Sequence, residues 1–529
     1  MELMRMIKKL IEFTGCICVS TLIVLFCSSC VKVGPDFVRP ESPVTSAWLE
    51  SGDARLQDGP SQDREWWHVF NDPVLDGLID RAYEENLTLR IAGLRVLEAR
   101  AQLGIATGRF FPQTQEAFGS VQQTRSSEKS QAGLLNNSLT TGQDQFGLSA
   151  SWELDFWGKF RRNIESAHAA LQATVADYDA ALVSLTADVA NTYIAIRTTE
   201  KRIEIAEENV RTQQEGLRLA EARFNGGTVT RLDFEQAKTA LKETQSLVPA
   251  LQGQLRQAKN ALCTLLGIPP NDLTTVITGP PAIPVPPTMV AVGIPADLLT
   301  RRPDVRSAQY QAASQSARIG VAKADLFPSL SLNGAFGFLS TDISDFALKD
   351  VFRWGSRYYV AGLSGQWNLF NYGRIKNAVR VEDARFQEAL ITYENAVLKA
   401  QQEVENGLVA YLRAQEQGAF LAESAAAAQL SLNIARAQYK EGARDFTAVV
   451  IAQQALLHEQ DSLTITLGAV SAGLVAIYRA LGGGWETWEG NDLIPPDVRE
   501  MMAKRTNWGE LLAAPKAIPF SPKKETEGP

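Results

Sequence analysis

The chain has 529 residues, 21% of them charged, and a formal net charge of −8. That length allows two to four ordinary domains or one large elongated architecture, and the negative balance argues against a nucleic-acid surface, which needs a basic stripe. The three histidines, His68, His168 and His458, stand far apart without ligand spacing, so neither a metal site nor another cofactor is expected.

The chain opens with Arg5, Lys8 and Lys9, then a mostly apolar run from Leu10 to Phe26, then Cys27-Ser28-Ser29-Cys30. A basic head, an apolar stretch of this length and small residues before a cut site describe an export signal over residues 1–29. Ser28-Ser29-Cys30 resembles a bacterial lipobox, with Cys27 where Leu is usual, and makes Cys30 the lipidated first residue of the mature chain. The alternatives are an ordinary cleaved signal or an uncleaved helical anchor. Residues 30–63 then read as an extended, lipid-anchored lead. Cleavage leaves only Cys30 and Cys263, so no intrachain disulfide is available once Cys30 is acylated. No later segment offers about eighteen uninterrupted apolar residues, the length of a membrane helix.

Residues 64–278 and 297–484 read as two copies of one unit. GIATGRFFPQTQE aligns with GVAKADLFPSLSL, placing Pro112 over Pro328; WELDFWGKFRR aligns with WNLFNYGRIKN, Gly158 over Gly373. ARFNGGTVTRLDFEQAKTAL aligns with AQYKEGARDFTAVVIAQQAL, Gly227 over Gly442, and ALCTLLG with AIYRALG, Gly267 over Gly482. A Pro-rich connector over 279–296, containing GPPAIPVPPTMVAVGIP, joins the halves as an extended linker. Each half reads helix, two strands, very long helix, tight turn, helix.

The first long helix is expected from Lys159 to Phe224, on the order of 100 Å at 1.5 Å per residue. Within it Leu182, Val189, Ile196, Ile203, Val210, Leu217 and Phe224 recur at sevens, the mark of a coiled-coil seam. Val397, Val404, Tyr411, Ala425, Leu432 and Tyr439 repeat the stripe in the second half, with Gly418 at the remaining position. The strands alternate instead. From Gln145 to Phe156, Phe146, Leu148, Ala150, Trp152, Leu154 and Phe156 share one face, and Gln145, Gly147, Ser149, Ser151, Glu153 and Asp155 the other. Tyr359, Ala361, Leu363, Trp367 and Leu369 alternate similarly, as do Leu330, Leu332, Phe336 and Phe338; the strand after Pro112 is less regular. Strands that are apolar on one face and polar on the other, with long polar loops at 125–141 and 341–357, fit a transmembrane β-barrel.

Lipid offers no partner for backbone N–H and C=O groups, so strands cross it only in a closed barrel. Four strands cannot close one, since such barrels need at least about eight; the chain must oligomerise, and three copies supply twelve. Pro112 and Pro328 mark where a helix must stop and a membrane strand begin. The competing reading is a soluble β-sandwich beside a coiled coil.

CVKVGPDFVRPESP, WWHVFNDPVLDGLIDRAYEENLTLRIAGLRVLEARA and LLTRRPDVRSAQYQAASQSARIGVAKADLFPSLSL, with the aligned turns, cover nearly all the mature chain. They resemble the TolC-type outer-membrane factors, specifically their lipoprotein (NodT-type) branch. The resemblance implies a mixed α and β membrane protein: a homotrimer with a 12-stranded β-barrel in the outer membrane, continued by an α-helical coiled-coil barrel through the periplasm. It further implies a periplasmic adaptor and an inner-membrane transporter, commonly of the proton-driven RND type, as partners in exporting small toxic molecules. At the hairpin tips Gly227 and Gly442, it implies that Asp233 bonds Arg444 and Tyr439 as a latch on the periplasmic gate. The acidic rings frequent in that family are replaced here by Ala448 and Ile451, so Val449, Val450 and Ile451 would narrow the aperture by dewetting. Asp233 and Arg444 can alternatively be read as solvated tip charges.

An enzyme reading would use Glu153 and Asp155, two carboxylates on one strand face, but they lack the apolar pocket that would separate their pKa values. No enzyme is expected. The rival function is a periplasmic lipid-anchored coiled-coil scaffold without a pore. The tail, 485–529, reads as irregular, wrapping the waist of the assembly.

Overall fold

The computed structural model describes residues 32–58, 64–129, 140–293, 295, 301–343, 348–488 and 491–512. The export signal, Cys30 and the last seventeen residues of the tail lie outside the described residues. In chain order the main elements are helices α1 (Pro73–Glu85) and α2 (Leu87–Gly108), strands β1 (Thr114–Arg125) and β2 (Thr140–Glu153), and helices α3 (Lys159–Asn225) and α4 (Arg231–Leu265). Then follow α5 (Pro303–Ala324), β3 (Ser329–Ile343), β4 (Arg357–Gln366), α6 (Arg374–Lys440), α7 (Phe446–Leu481) and α8 (Pro496–Arg505). The duplication is visible in the lengths: α2 and α5 have 22 residues each, and α3 and α6 have 67 each. Pro328 directly precedes β3, and Pro112 stands between α2 and β1, as expected of a residue that cannot continue a helix and extends its predecessor.

The chain divides into two compact units. The first comprises residues 1–40, 98–172 and 309–391. Its centre is an antiparallel sheet in the order β1-β2-β3-β4. Register aligns apolar residues along one face, where Phe146, Leu148, Ala150 and Trp152 face Phe338, Phe336, Gly334 and Leu332, and the last three face Tyr359, Ala361 and Leu363; Arg125, Asp144, Asp342 and Arg357 are the charged members of that face. The opposite face carries Thr114, Glu116, Ser120, Gln145, Ser149, Ser151, Asn333 and Ser364, with Phe118, Ala335, Leu339, Ile343, Tyr358 and Val360 among its less polar members. β1, irregular in sequence, puts Ala117, Gly119 and Val121 on the apolar side. The outer edges of β1 and β4 have no partner strand among the described residues.

Two strand limits differ from expectation. β2 stops at Glu153 because Asp155 turns to the next helix, accepting the N–H groups of Phe160 and Arg161 at 2.9 and 3.1 Å. β4 stops at Gln366, so Trp367 and Leu369 lie beyond the sheet, Trp367 donating Nε1–H to the Leu326 carbonyl at 3.0 Å.

The lead segment is held in this unit by a buried cation. Arg162, 1% exposed, donates to the carbonyls of Val33 (3.0 Å) and Gly34 (2.9 Å) and pairs with Asp36 and Glu165, both at 2.9 Å. Gly34 has φ +96°, and a Cβ there would stand 2.4 Å from the Gly320 Cα, so only glycine fits.

The second unit comprises residues 41–97, 173–308 and 392–529. Leu182, Val189 and Ile196 of α3, and Val397, Val404, Tyr411, Leu432 and Tyr439 of α6, are buried as seam residues. Further along α3 the stripe shifts: Ile203, Val210 and Leu217 are half-buried and Phe224 exposed, while Ala206, Asn209, Gln213, Gly216 and Ala220 point inward. Small side chains let neighbouring helices approach, and Asn209 donates to Gln460 at 3.0 Å while Arg202 pairs with Asp461 at 2.7 Å. α7 is the one described helix long and apolar enough to cross a membrane (mean hydropathy 1.5), and most of that stretch is buried; it is a core helix. The lead and the linker pair as short parallel strands, Leu56–Asp58 with Val290–Val292.

The tail is not irregular through residue 512. Pro496 begins α8, Asp497 lies in its first turn and Lys504 and Arg505 in its last, where their charges favour the helix ends. Ile494 and Met502 cluster with Leu97, flanked by Leu94, Val498, Trp508 and Leu512.

Candidate functional site

The expected gate residues lie where the two long hairpins turn, all within the second unit. Gly227 (φ +69°) and Gly442 (φ +75°) occupy the turns in the left-handed conformation that glycine adopts freely. Beneath them lies a small core of Ala220, Ala237, Leu432, Ala435, Tyr439, Phe446, Val449, Ala452 and Leu456.

The first turn caps itself. Thr230 and Asp233 form a reciprocal capping box on α4, with Thr230 N–H and Oγ1–H donating to Asp233 Oδ2 at 3.0 and 2.8 Å. The other oxygen, Oδ1, crosses to the second hairpin and accepts the Phe446 N–H at 3.1 Å. Among the described residues Asp233 makes no bond to Arg444 or to the Tyr439 hydroxyl; its oxygens accept from Thr230 and the Phe446 N–H instead. Arg444 is exposed and forms no ion pair or side-chain hydrogen bond among the described residues. Tyr439 is 1% exposed, its ring set edge-on to Phe446 (centroids 5.1 Å apart), and its hydroxyl has no hydrogen-bond partner among the described residues.

The cation at this junction is Arg223, which the sequence reading passed over. Its guanidinium lies 4.8 Å above the Tyr439 ring and donates to the carbonyls of Tyr439 and Lys440 at the end of α6. A lone Arg in the last turn of a helix is ordinary, so its type alone is no signal. The duplication does carry one: the residues aligned with Arg223 and Asp233 in the second half are Gln438 and Ala448, both uncharged.

The expected aperture residues separate. Val449 is 2% exposed in the tip core, which removes it as a lining residue; Ala448 and Val450 are half-buried, and Ile451 is 63% exposed. Burial pushes the Asp233 carboxyl up, but hydrogen bonds from Thr230 and from the Phe446 N–H outweigh it and hold the group below its ordinary value. Burial, then the charge of Asp233, raises the Tyr439 phenol. In the first unit, Glu153 lies 3.8 Å from Lys159, which pairs with Asp325 at 2.9 Å, and Asp155 pairs with Arg161 at 2.9 Å. Those carboxylates serve ion pairs and a helix start.

The profile of the family described as outer membrane efflux protein matches residues 78–268 and 294–483, one match per repeat. The chain is 32% identical over 427 residues to the pyoverdine export outer membrane protein OpmQ of Pseudomonas putida, covering 80% of this chain and 89% of that protein. It is 30% identical to nodulation protein T of Rhizobium leguminosarum bv. trifolii, over 87% of this chain and 96% of that one. Among solved structures, the outer-membrane channel OprN superposes with a TM-score of 0.79 at 31% identity, over 86% of this chain and 99% of that one.

Proposed function

The chain belongs to the outer membrane efflux protein family, and from that premise we propose how its export path is anchored, supplied and shut. It is an outer-membrane channel: three chains, each giving four strands, form a barrel of twelve that a helical tunnel continues into the periplasm. It works with a periplasmic adaptor and an inner-membrane pump. The pump is of the RND type, the cargo is small toxic molecules, and lipidated Cys30 seats the lead in the outer membrane.

The observation that carries the pore reading is the sheet, which aligns Phe146, Leu148, Trp152, Leu332, Phe336, Phe338, Tyr359 and Leu363 on one face and whose two edges have no partner strand among the described residues. A scaffold without a pore would leave that face without a purpose. Purified trimer in planar bilayers is expected to conduct ions and to run on gels with heat-modifiable mobility; a non-conducting trimer would favour the scaffold.

The hairpin tips form the gate. Arg444, exposed and without an ion pair among the described residues, engages the tip of the neighbouring chain in the closed trimer. Exposed ion pairs are weak, so adaptor binding can break three of them. Arg444→Ala is expected to raise closed-state conductance; an unchanged value would remove Arg444 from the gate.

The gate also has a predictable pH response. A carboxyl with a depressed pKa stabilises the folded arrangement fully above its ordinary value, about 4, and that contribution is lost as pH falls through the depressed value. The hold of Asp233 on the Phe446 N–H should therefore be constant from about pH 8 to pH 5 and weaken only below about 4. A conductance titration showing Asp233-dependent opening between pH 8 and pH 5 would contradict this.

A further inference from the structure

Two of the charges that join the tips, both on the first hairpin, grip the main chain of the second. Arg223, at the end of α3, reaches the last carbonyls of α6. Asp233, in the first turn of α4, reaches the first N–H of α7. Each charge meets the helix end of opposite polarity: a guanidinium at a C-terminus, a carboxylate at an N-terminus. The second turn lacks its own equivalents. Asp445 precedes α7 but makes no side-chain capping bond, and the positions aligned with Arg223 and Asp233 are Gln438 and Ala448. After duplication, one hairpin carries both charges and the other presents bare helix ends to them.

We propose that Arg223 is a positioning residue of the gate: with Asp233 it makes a two-point clasp by which the first hairpin holds the turn of the second. The proposal rests on the reading of the tips as the gate. The clasp grips main chain at three atoms: the carbonyls of Tyr439 and Lys440 and the N–H of Phe446. Side-chain changes at Lys440 therefore leave it intact. The buried Tyr439 ring, between Arg223 and Phe446, fixes the height at which the second turn is held. Releasing the clasp frees that turn without disturbing α4, whose capping box is internal to the first hairpin.

The test uses full-length trimer in planar bilayers, comparing Arg223→Ala, Arg223→Lys, Lys440→Ala and Arg444→Ala with the wild type. Arg223→Ala is expected to raise closed-state conductance severalfold while the heat-modifiable trimer band is unchanged. Arg223→Lys, which keeps the charge at the helix end but not the forked donor, is expected to fall between, and Lys440→Ala to match the wild type. A wild-type closed state with Arg223→Ala overturns the clasp, as does an Arg223→Lys channel as leaky as the alanine variant. Should Arg223→Ala fail to assemble, the lysine variant decides alone: wild-type conductance overturns the proposal and an intermediate value supports it. If the wild-type trimer already conducts at its fully open level, the gate reading itself fails and takes the clasp with it. If Arg444→Ala leaks and Arg223→Ala does not, only the clasp falls.

Discussion

Arginine in place of Leu148 is expected to abolish assembly of the trimer in the outer membrane, whereas arginine one residue on, in place of Ser149, is expected to leave it assembled and change its conductance. Leu148 is 63% exposed and lies on the apolar face between Ala117 and Phe336. That face meets lipid, where an Arg near the bilayer midplane costs about 2–4 kcal/mol, incurred once in each of three chains. Ser149 belongs to the polar face, with Glu116 directly across the strand pair as a ready counter-ion. A slip of one residue exchanges every side chain between the faces, so neighbouring positions give opposite outcomes. Heat-modifiable trimer on gels reads the first variant, and single-channel conductance with ion selectivity the second. A Leu148→Arg trimer that inserts normally would mean that this face is covered by protein rather than lipid.

How far the fold was legible follows from which interactions repeat. The strand faces could be read because period-two alternation places successive side chains on opposite faces of a sheet, whatever each face meets. The helix-to-strand breaks could be read because proline acts through its own ring. The heptad stripe of α3 held only as far as Ile196; beyond it, the inward positions are Ala206, Asn209, Gln213 and Gly216, small or polar residues that a hydrophobic pattern cannot find. The α8 helix escaped notice because ten residues carry too few periods, although Pro496, Asp497 and the basic last turn were signals in plain view. At the site, the capping-box spacing Thr230 to Asp233 was readable and competes directly with the latch that resemblance suggested. The contact of Arg223 was not, since its acceptors are main-chain carbonyls, which leave no trace in side-chain composition.

The largest loss of stability in the second unit is expected from Tyr411→Ala. Tyr411 is fully buried, and its hydroxyl donates to the Pro287 carbonyl, tying the Pro-rich linker to α6. Removing a buried aromatic ring costs about 3–5 kcal/mol, and losing the hydrogen bond to the half-buried Pro287 carbonyl adds about 0.5–1.5. Tyr411→Phe separates the two, keeping the ring and losing only the hydrogen bond. Gly473 of α7 sits against the same residue, but a Cβ there would stand 3.0 Å from the Tyr411 Cα and 3.1 Å from its N. The obstruction is backbone, so Gly473→Ala pushes α6 and α7 apart at a cost of about 1–3 kcal/mol. The cavity left by Tyr411→Ala gives the new methyl no room, because it opens beyond Cβ and not at the main chain. Residues in contact ordinarily couple; here the double variant should be no more stable than the sum of the two losses predicts. Thermal loss of helical circular dichroism in detergent-solubilised trimer measures all four proteins. Recovery in the double variant would show that α6 and α7 are spaced by the Tyr411 ring instead of by their glycine-permitted backbone contact.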